Sequence, residues 1–148
     1  MWKSVCCAVR GRGHETKDIP CQDKVWPEGK QSGAVSVIAL ADGAGSAKFS
    51  HLGAECVVKS ISNLVKTQFD KFISSQDATA VRKEIIQQLR QDLGKTAAEH
   101  ECSLNDLAST MLVAAADDKH YLLIHIGDGV IGYLGNSGLN VATKPVNG

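Results

Sequence analysis

The chain has 148 residues, of which 43% are hydrophobic, and it carries 16 acidic and 16 basic side chains. That length suits a single domain, and the apolar share is enough for a core. Balanced charge excludes a field that would draw the protein to nucleic acid or to an anionic membrane, and no apolar run approaches the roughly 18 residues of a membrane span.

Residues 4–10 and 34–41 read as strands separated by a polar segment containing glycine and proline. The N-terminus lacks the long apolar stretch and cleavage site of a signal peptide, so a cytoplasmic protein is expected. Five cysteines, Cys6, Cys7, Cys21, Cys56 and Cys102, show no C-x-x-C spacing and are expected as buried, reduced thiols. A zinc site from Cys21, His14 and another cysteine is the weaker reading, because the spacing fits no structural zinc pattern.

Ser50 is placed to cap a helix running to about Phe72, with Leu52, Cys56, Val57, Ile61, Leu64, Val65, Phe69 and Phe72 near helical period. Asp77 is placed to cap a second helix with Val81, Ile85, Leu89 and Leu93 on one stripe, extending toward His100. After Ser103 the period shortens. Residues 110–116, 120–126, 130–134 and 139–143 read as strands joined by turns at Asp117-Asp118-Lys119 and Gly135-Asn136-Ser137-Gly138. Strands, two helices at about 50–100, then a meander predict an α+β fold: an antiparallel sheet with a helix pair on one face.

Chemistry concentrates at strand ends. The apolar run Ala34–Leu40 leads into Ala41-Asp42-Gly43-Ala44-Gly45-Ser46, which pins a carboxylate beside glycines that admit close approach. Gln22-Asp23 and Gly127-Asp128-Gly129 are two more aspartate-centred corners. Each Asp-Gly pair alone is also a common turn. The glycine-rich stretch supplies neither the phosphate-binding P-loop nor the dinucleotide fingerprint. Three acidic corners without a dominant nucleophile suggest a carboxylate metal site, and hard oxygen ligands suit magnesium or manganese.

In combination, four segments resemble the metal-dependent serine/threonine protein phosphatases of the 2C type, most of all their bacterial branch. They are Gly13-His14 with Gln22-Asp23; Ala39 to Ser46 with Ser50 and Gly53-Ala54; Ala108-Ser109-Thr110; and Ile126-Gly127-Asp128-Gly129. The resemblance spans essentially residues 1–148, read as the N-terminal part of such a domain. It implies an antiparallel β-sandwich flanked by helices, with two or three Mn2+ or Mg2+ ions in a cleft. Asp42 would bridge two cations, the Gly43 carbonyl would ligate one, and Asp23 would hold the centre directly or through water. Asp128 matches a position that helps hold a third metal. His14, with Arg10 and Arg12 as rivals, occupies the neighbourhood of an arginine that grips the substrate phosphate. The implied activity is hydrolysis of phosphoserine and phosphothreonine in phosphoproteins by a metal-activated water.

Two departures from the pattern matter. Ala44 stands where many relatives carry a histidine thought to protonate the leaving alkoxide, which leaves His51 and His125 as titratable candidates. The family domain also continues into further strands with two more aspartates, so the resemblance implies a C-terminally incomplete centre. An open sheet edge is then expected to pair with a second copy, giving a homodimer. The alternative to an enzyme is a non-catalytic phosphatase-like module that binds a partner or phosphopeptide. A third reading is a purely structural domain whose Asp-Gly pairs are turns.

Overall fold

The computed structural model describes residues 3–27 and 34–145. Four strands, β1 (Asp23–Trp26), β2 (Ser36–Asp42), β3 (Met111–Ala116) and β4 (Tyr121–Ile126), form one antiparallel sheet in that order. A separate two-stranded antiparallel sheet follows, β5 (Ile131–Gly135) paired with β6 (Gly138–Thr143). The helices are α1 (Arg12–Thr16), α2 (Ser50–Ser74) and α3 (Ala78–Glu99), with a 3-10 turn at Leu104–Leu107. The protein is therefore α+β with antiparallel sheets, as the pattern of elements predicts.

Strict alternation in β2 divides the large sheet into two faces. Val37, Ala39 and Ala41 are buried, whereas Ile38, Leu40 and Asp42 are exposed. Register carries the division across the strands, because Val37 faces Ala115, Ala39 faces Val113, and Val113 faces Ile124. The buried face meets α2 through Ala54, Val57, Val58, Ile61, Val65 and Phe69. Each valine, isoleucine or phenylalanine among them contributes about 1.5–3 kcal/mol on leaving water, so this seam is the main stabilising contact.

The helix pair is not laid side by side on the sheet. α2 packs on the strands, and α3 packs outside it on α2 and the 3-10 turn. The reason lies in the apolar surface each helix offers. α2 buries ten residues, including Ser50 and Ser62, whereas α3 buries only Ile85, Leu89 and Ala97. Asp77 caps α3 as expected, accepting from the Thr79 and Ala80 amides at 2.9 and 3.0 Å. A polar seam backs the helix contact: Asp92 accepts from Ser60 Oγ of α2 at 2.7 Å, from Gln88 at 2.9 Å and from Lys95 at 2.8 Å.

Three expectations are corrected. Residues 4–10 form no strand, and Val5 and Val9 are exposed. An apolar stretch becomes a strand only with a pairing partner, and the sheet edge beside β2 is taken by β1, in a segment that composition marks as polar loop. Ser50 does not cap α2; Phe49 holds the cap position with no side-chain bond, and the Ser50 hydroxyl is engaged elsewhere. The thiols are free but not buried: Cys7 is exposed and the other four are half-exposed. No helix among the described residues is long and apolar enough to cross a membrane.

Gly53 marks the tightest approach at any described glycine. A Cβ there would lie 1.9 Å from the Leu107 carbonyl oxygen, so α2 touches the 3-10 turn backbone to backbone. Gly53→Ala is expected to destabilise the protein by about 3 kcal/mol, as overpacking against main chain does, measured as a lower midpoint in urea. A second outcome concerns Asp92, whose three hydrogen bonds, led by that from Lys95, hold its pKa down at about 2 against an ordinary 3.8. A depressed acid stabilises the fold above its unfolded pKa and loses that contribution as pH falls through the folded one. Asp92→Asn should therefore cost about 1 kcal/mol at pH 7, allowing for solvent screening of a partly exposed pair. The difference from wild type should fade between pH 4 and 2.

Candidate metal centre

One row of residues crosses the end of the large sheet. β1 pairs with β2 so that Asp23 lies directly opposite Asp42. The register of β2 on β3, with Leu40 facing Leu112, runs on to an isolated bridge between Gly43 and Ser109. Asp42 therefore stands opposite Thr110. The register of β3 on β4, with Met111 facing Ile126, sets Thr110 opposite Gly127. Asp23, Asp42, Thr110 and Gly127 thus form a single cross-strand row, and the three side chains it carries point away from α2. Asp128 follows immediately.

Two carboxylates directly opposite each other on adjacent strands repel, and proteins avoid that arrangement unless it serves a purpose. Its mark here is the Asp42 pKa, which is raised above the ordinary aspartate value. Partial burial is the largest cause, followed by the negative charge of Asp23, the hydrogen-bonding reach between the two carboxyls, and the charge of Asp128. His14 acts in the opposite sense, so the imidazole lies within electrostatic range. Among the described residues, neither Asp23 nor Asp42 forms an ion pair with Lys or Arg.

The backbone beneath the pair is tightly held. The Gly43 amide donates to the Gln22 carbonyl at 3.2 Å and the Ala44 amide to the Ala108 carbonyl at 2.9 Å. The Gln22 side chain donates to the buried Ser50 hydroxyl at 2.8 Å. A Cβ on Gly43 would lie 2.8 Å from that of Ser50, so only glycine lets β2 pass so close to the start of α2. The Gly43 carbonyl accepts no hydrogen bond among the described residues. Two anionic oxygens side by side plus a free carbonyl form a hard donor set that fits magnesium or manganese. Among the described residues, no three His, Cys, Asp or Glu side chains converge to enclose an ion. Asp128 stands in electrostatic reach of Asp42 rather than in a closed cage with it.

The other predicted site residues fall in different places. Arg10 is held away from the pair: its guanidinium donates to Asp18 and to the His14 carbonyl, each at 3.1 Å. Arg12 opens α1 and is exposed. His125 uses both ring nitrogens, Nδ1 with Thr143 Oγ1 at 3.1 Å and Nε2 with the Gly127 carbonyl at 3.0 Å. A carbonyl only accepts, so Nε2 carries the proton and His125 braces the turn before Asp128. His51, on the first turn of α2, has its pKa lowered by burial and by Lys24. Gln22, Ser50 and Thr110 lie within the sequence segments singled out above, but spacing alone assigns them no part in the site.

The protein phosphatase 2C sequence family matches residues 10–148. The chain is 28% identical over 154 residues to serine/threonine-protein phosphatase 3 of Escherichia coli strain K12, an alignment covering 99% of this chain. It spans 59% of that relative's length. No solved structure matches it.

Repulsion within the pair yields an outcome for the metal-free protein. An acid whose pKa is raised by folding destabilises the native state once ionised, and acidification through the raised pKa restores stability. In chelator at pH 7.5, Asp42→Asn should melt above wild type by calorimetry, and the gap should narrow as the pH falls toward the ordinary aspartate value of 3.8. A variant melting at or below wild type throughout would contradict the electrostatic account.

Proposed function

Because the chain belongs to the protein phosphatase 2C family of protein serine/threonine phosphatases, we propose that it contributes the core of a divalent-cation site hydrolysing phosphoserine and phosphothreonine in cytoplasmic phosphoproteins. The observation that carries this reading is the opposed pair Asp23 and Asp42, neither of them ion-paired with Lys or Arg among the described residues, with a Gly43 carbonyl beside them that accepts no hydrogen bond there.

Phosphate monoesters hydrolyse extremely slowly because their negative charge repels a nucleophile. Magnesium or manganese, when bound, supplies charge neutralisation and lowers the pKa of water. Asp23 and Asp42 are the residues that would hold it, one from each of two paired strands, with the Gly43 carbonyl as a neutral third donor. Asp128 adds negative charge on the far side of the row and draws further cation toward the same end of the sheet. His14, within electrostatic range of Asp42, would face a phosphate oxygen, whereas Arg10 is engaged with Asp18. Ala44 offers no acid at the position where relatives carry histidine, so the leaving alkoxide would take its proton from water. This favours substrates with good leaving groups.

The non-catalytic reading keeps one specific support: no closed set of three ligands forms among the described residues. Turnover separates the two. With Mn2+, p-nitrophenyl phosphate should be hydrolysed, and Asp42→Ala should lower the rate by more than about 100-fold, beyond the 10–100-fold typical of losing an outer partner. Binding of a phosphoserine peptide with no turnover of either substrate would favour the binding module.

A further inference from the structure

We propose that Thr110 is the positioning residue of this centre, holding Asp42 with its hydroxyl and the Gly127-Asp128 turn with its methyl group. The argument begins with a substitution in the sheet ladder. Asp42 and Thr110 are opposed as a hydrogen-bonded antiparallel pair, which ordinarily exchanges two main-chain bonds. One is present: the Thr110 amide donates to the Asp42 carbonyl at 2.8 Å. The other is made by the side chain, because the Asp42 amide donates to Thr110 Oγ1 at 2.9 Å. The main chain of Asp42 is therefore gripped at both ends by one residue 68 positions away.

The other arm of the same side chain points along the row. Gly127 has φ +110°, and a Cβ on it would lie 2.6 Å from Thr110 Cγ2 and 2.7 Å from Thr110 Cβ. The methyl group fills the space that glycine leaves, against the residue that precedes Asp128. A β-branched threonine is the one standard residue that presents a hydroxyl and a methyl group from the same Cβ. Its χ1 is stiff, so fixing one arm fixes the other. Neither arm touches the carboxylate oxygens, and Thr110 acts through Asp42 and Asp128.

This inference rests on the reading of Asp23 and Asp42 as a cation-holding pair, and the two can fail separately. The two arms are divided by Thr110→Val, which keeps the branch and removes the hydroxyl, and Thr110→Ser, which keeps the hydroxyl and removes the methyl. In the metal-free protein, amide hydrogen exchange at Asp42 should accelerate at least 10-fold in Thr110→Val and stay near wild type in Thr110→Ser. At Gly127 and Asp128, whose amides donate no hydrogen bond among the described residues, backbone order parameters should show the reverse, falling in Thr110→Ser and staying near wild type in Thr110→Val. With Mn2+ alone, titration calorimetry should show a 10–100-fold loss of affinity in Thr110→Val, the range for removing a group that orients a ligand. Unchanged Asp42 exchange in Thr110→Val overturns the positioning role whatever the metal result. Absence of Mn2+ binding to wild type, with the exchange pattern as expected, overturns the metal reading and leaves the role of Thr110 in the row intact. Should Thr110→Val fail to fold, Thr110→Ser decides alone: order parameters at Gly127 and Asp128 unchanged from wild type overturn the methyl arm.

Discussion

The site depends on a register that places like charges face to face. Asp23 and Asp42 are not neighbours by accident of loop conformation; they are the opposed residues of a β-ladder whose other positions are set by packing. Shifting β2 by one residue would turn Val37, Ala39 and Ala41 out of the core and Asp42 into it. The hydrophobic seam against α2 therefore fixes the carboxylates' position and tolerates their repulsion. A core of many buried side chains holds a strained corner that could not hold itself.

Close backbone approach does the rest. Gly53 lets α2 settle onto the Leu107 carbonyl, and Gly43 lets the end of β2 pass the buried Ser50. Both contacts lie within a few residues of the row, one beneath Asp42 and one leading through Ala108 toward Thr110. Helix, turn and strand end thus lock together where side chains are smallest. Charged and hydrogen-bonding groups are then carried on top of a rigid base, which is what a site requires if its geometry is to survive its own electrostatics.

Membership of the phosphatase 2C family accords with this layout, and the departures from the family pattern are equally physical. Ala44 keeps the backbone bond to Ala108 while offering no side-chain proton donor. Asp128 follows Gly127, the last member of the row, and its charge reaches Asp42. Neither feature bears on the β2–α2 framework, which is set by the buried face of the sheet.

Much of this was legible in the amino-acid order. The two long helices, the cap at Asp77, the strand that ends in Asp42 and the four late strands follow from local period and turn chemistry, and Asp42 and Asp128 stand out by their glycine neighbours; the late strands divide between two sheets instead of running on as one meander. What local pattern misassigned was pairing: β1 lies in a stretch that composition marks as loop, and the more apolar run at 4–10 has no strand beside it. The tertiary structure alone decided that α3 stacks behind α2, that the Ser50 hydroxyl meets Gln22 instead of capping its helix, and that Thr110 joins Asp42 to the turn before Asp128. The reason is one of range. Periodicity and propensity act over a few residues, whereas a cross-strand row is assembled from positions up to about a hundred residues apart, and only the packing of the whole sheet brings them into line.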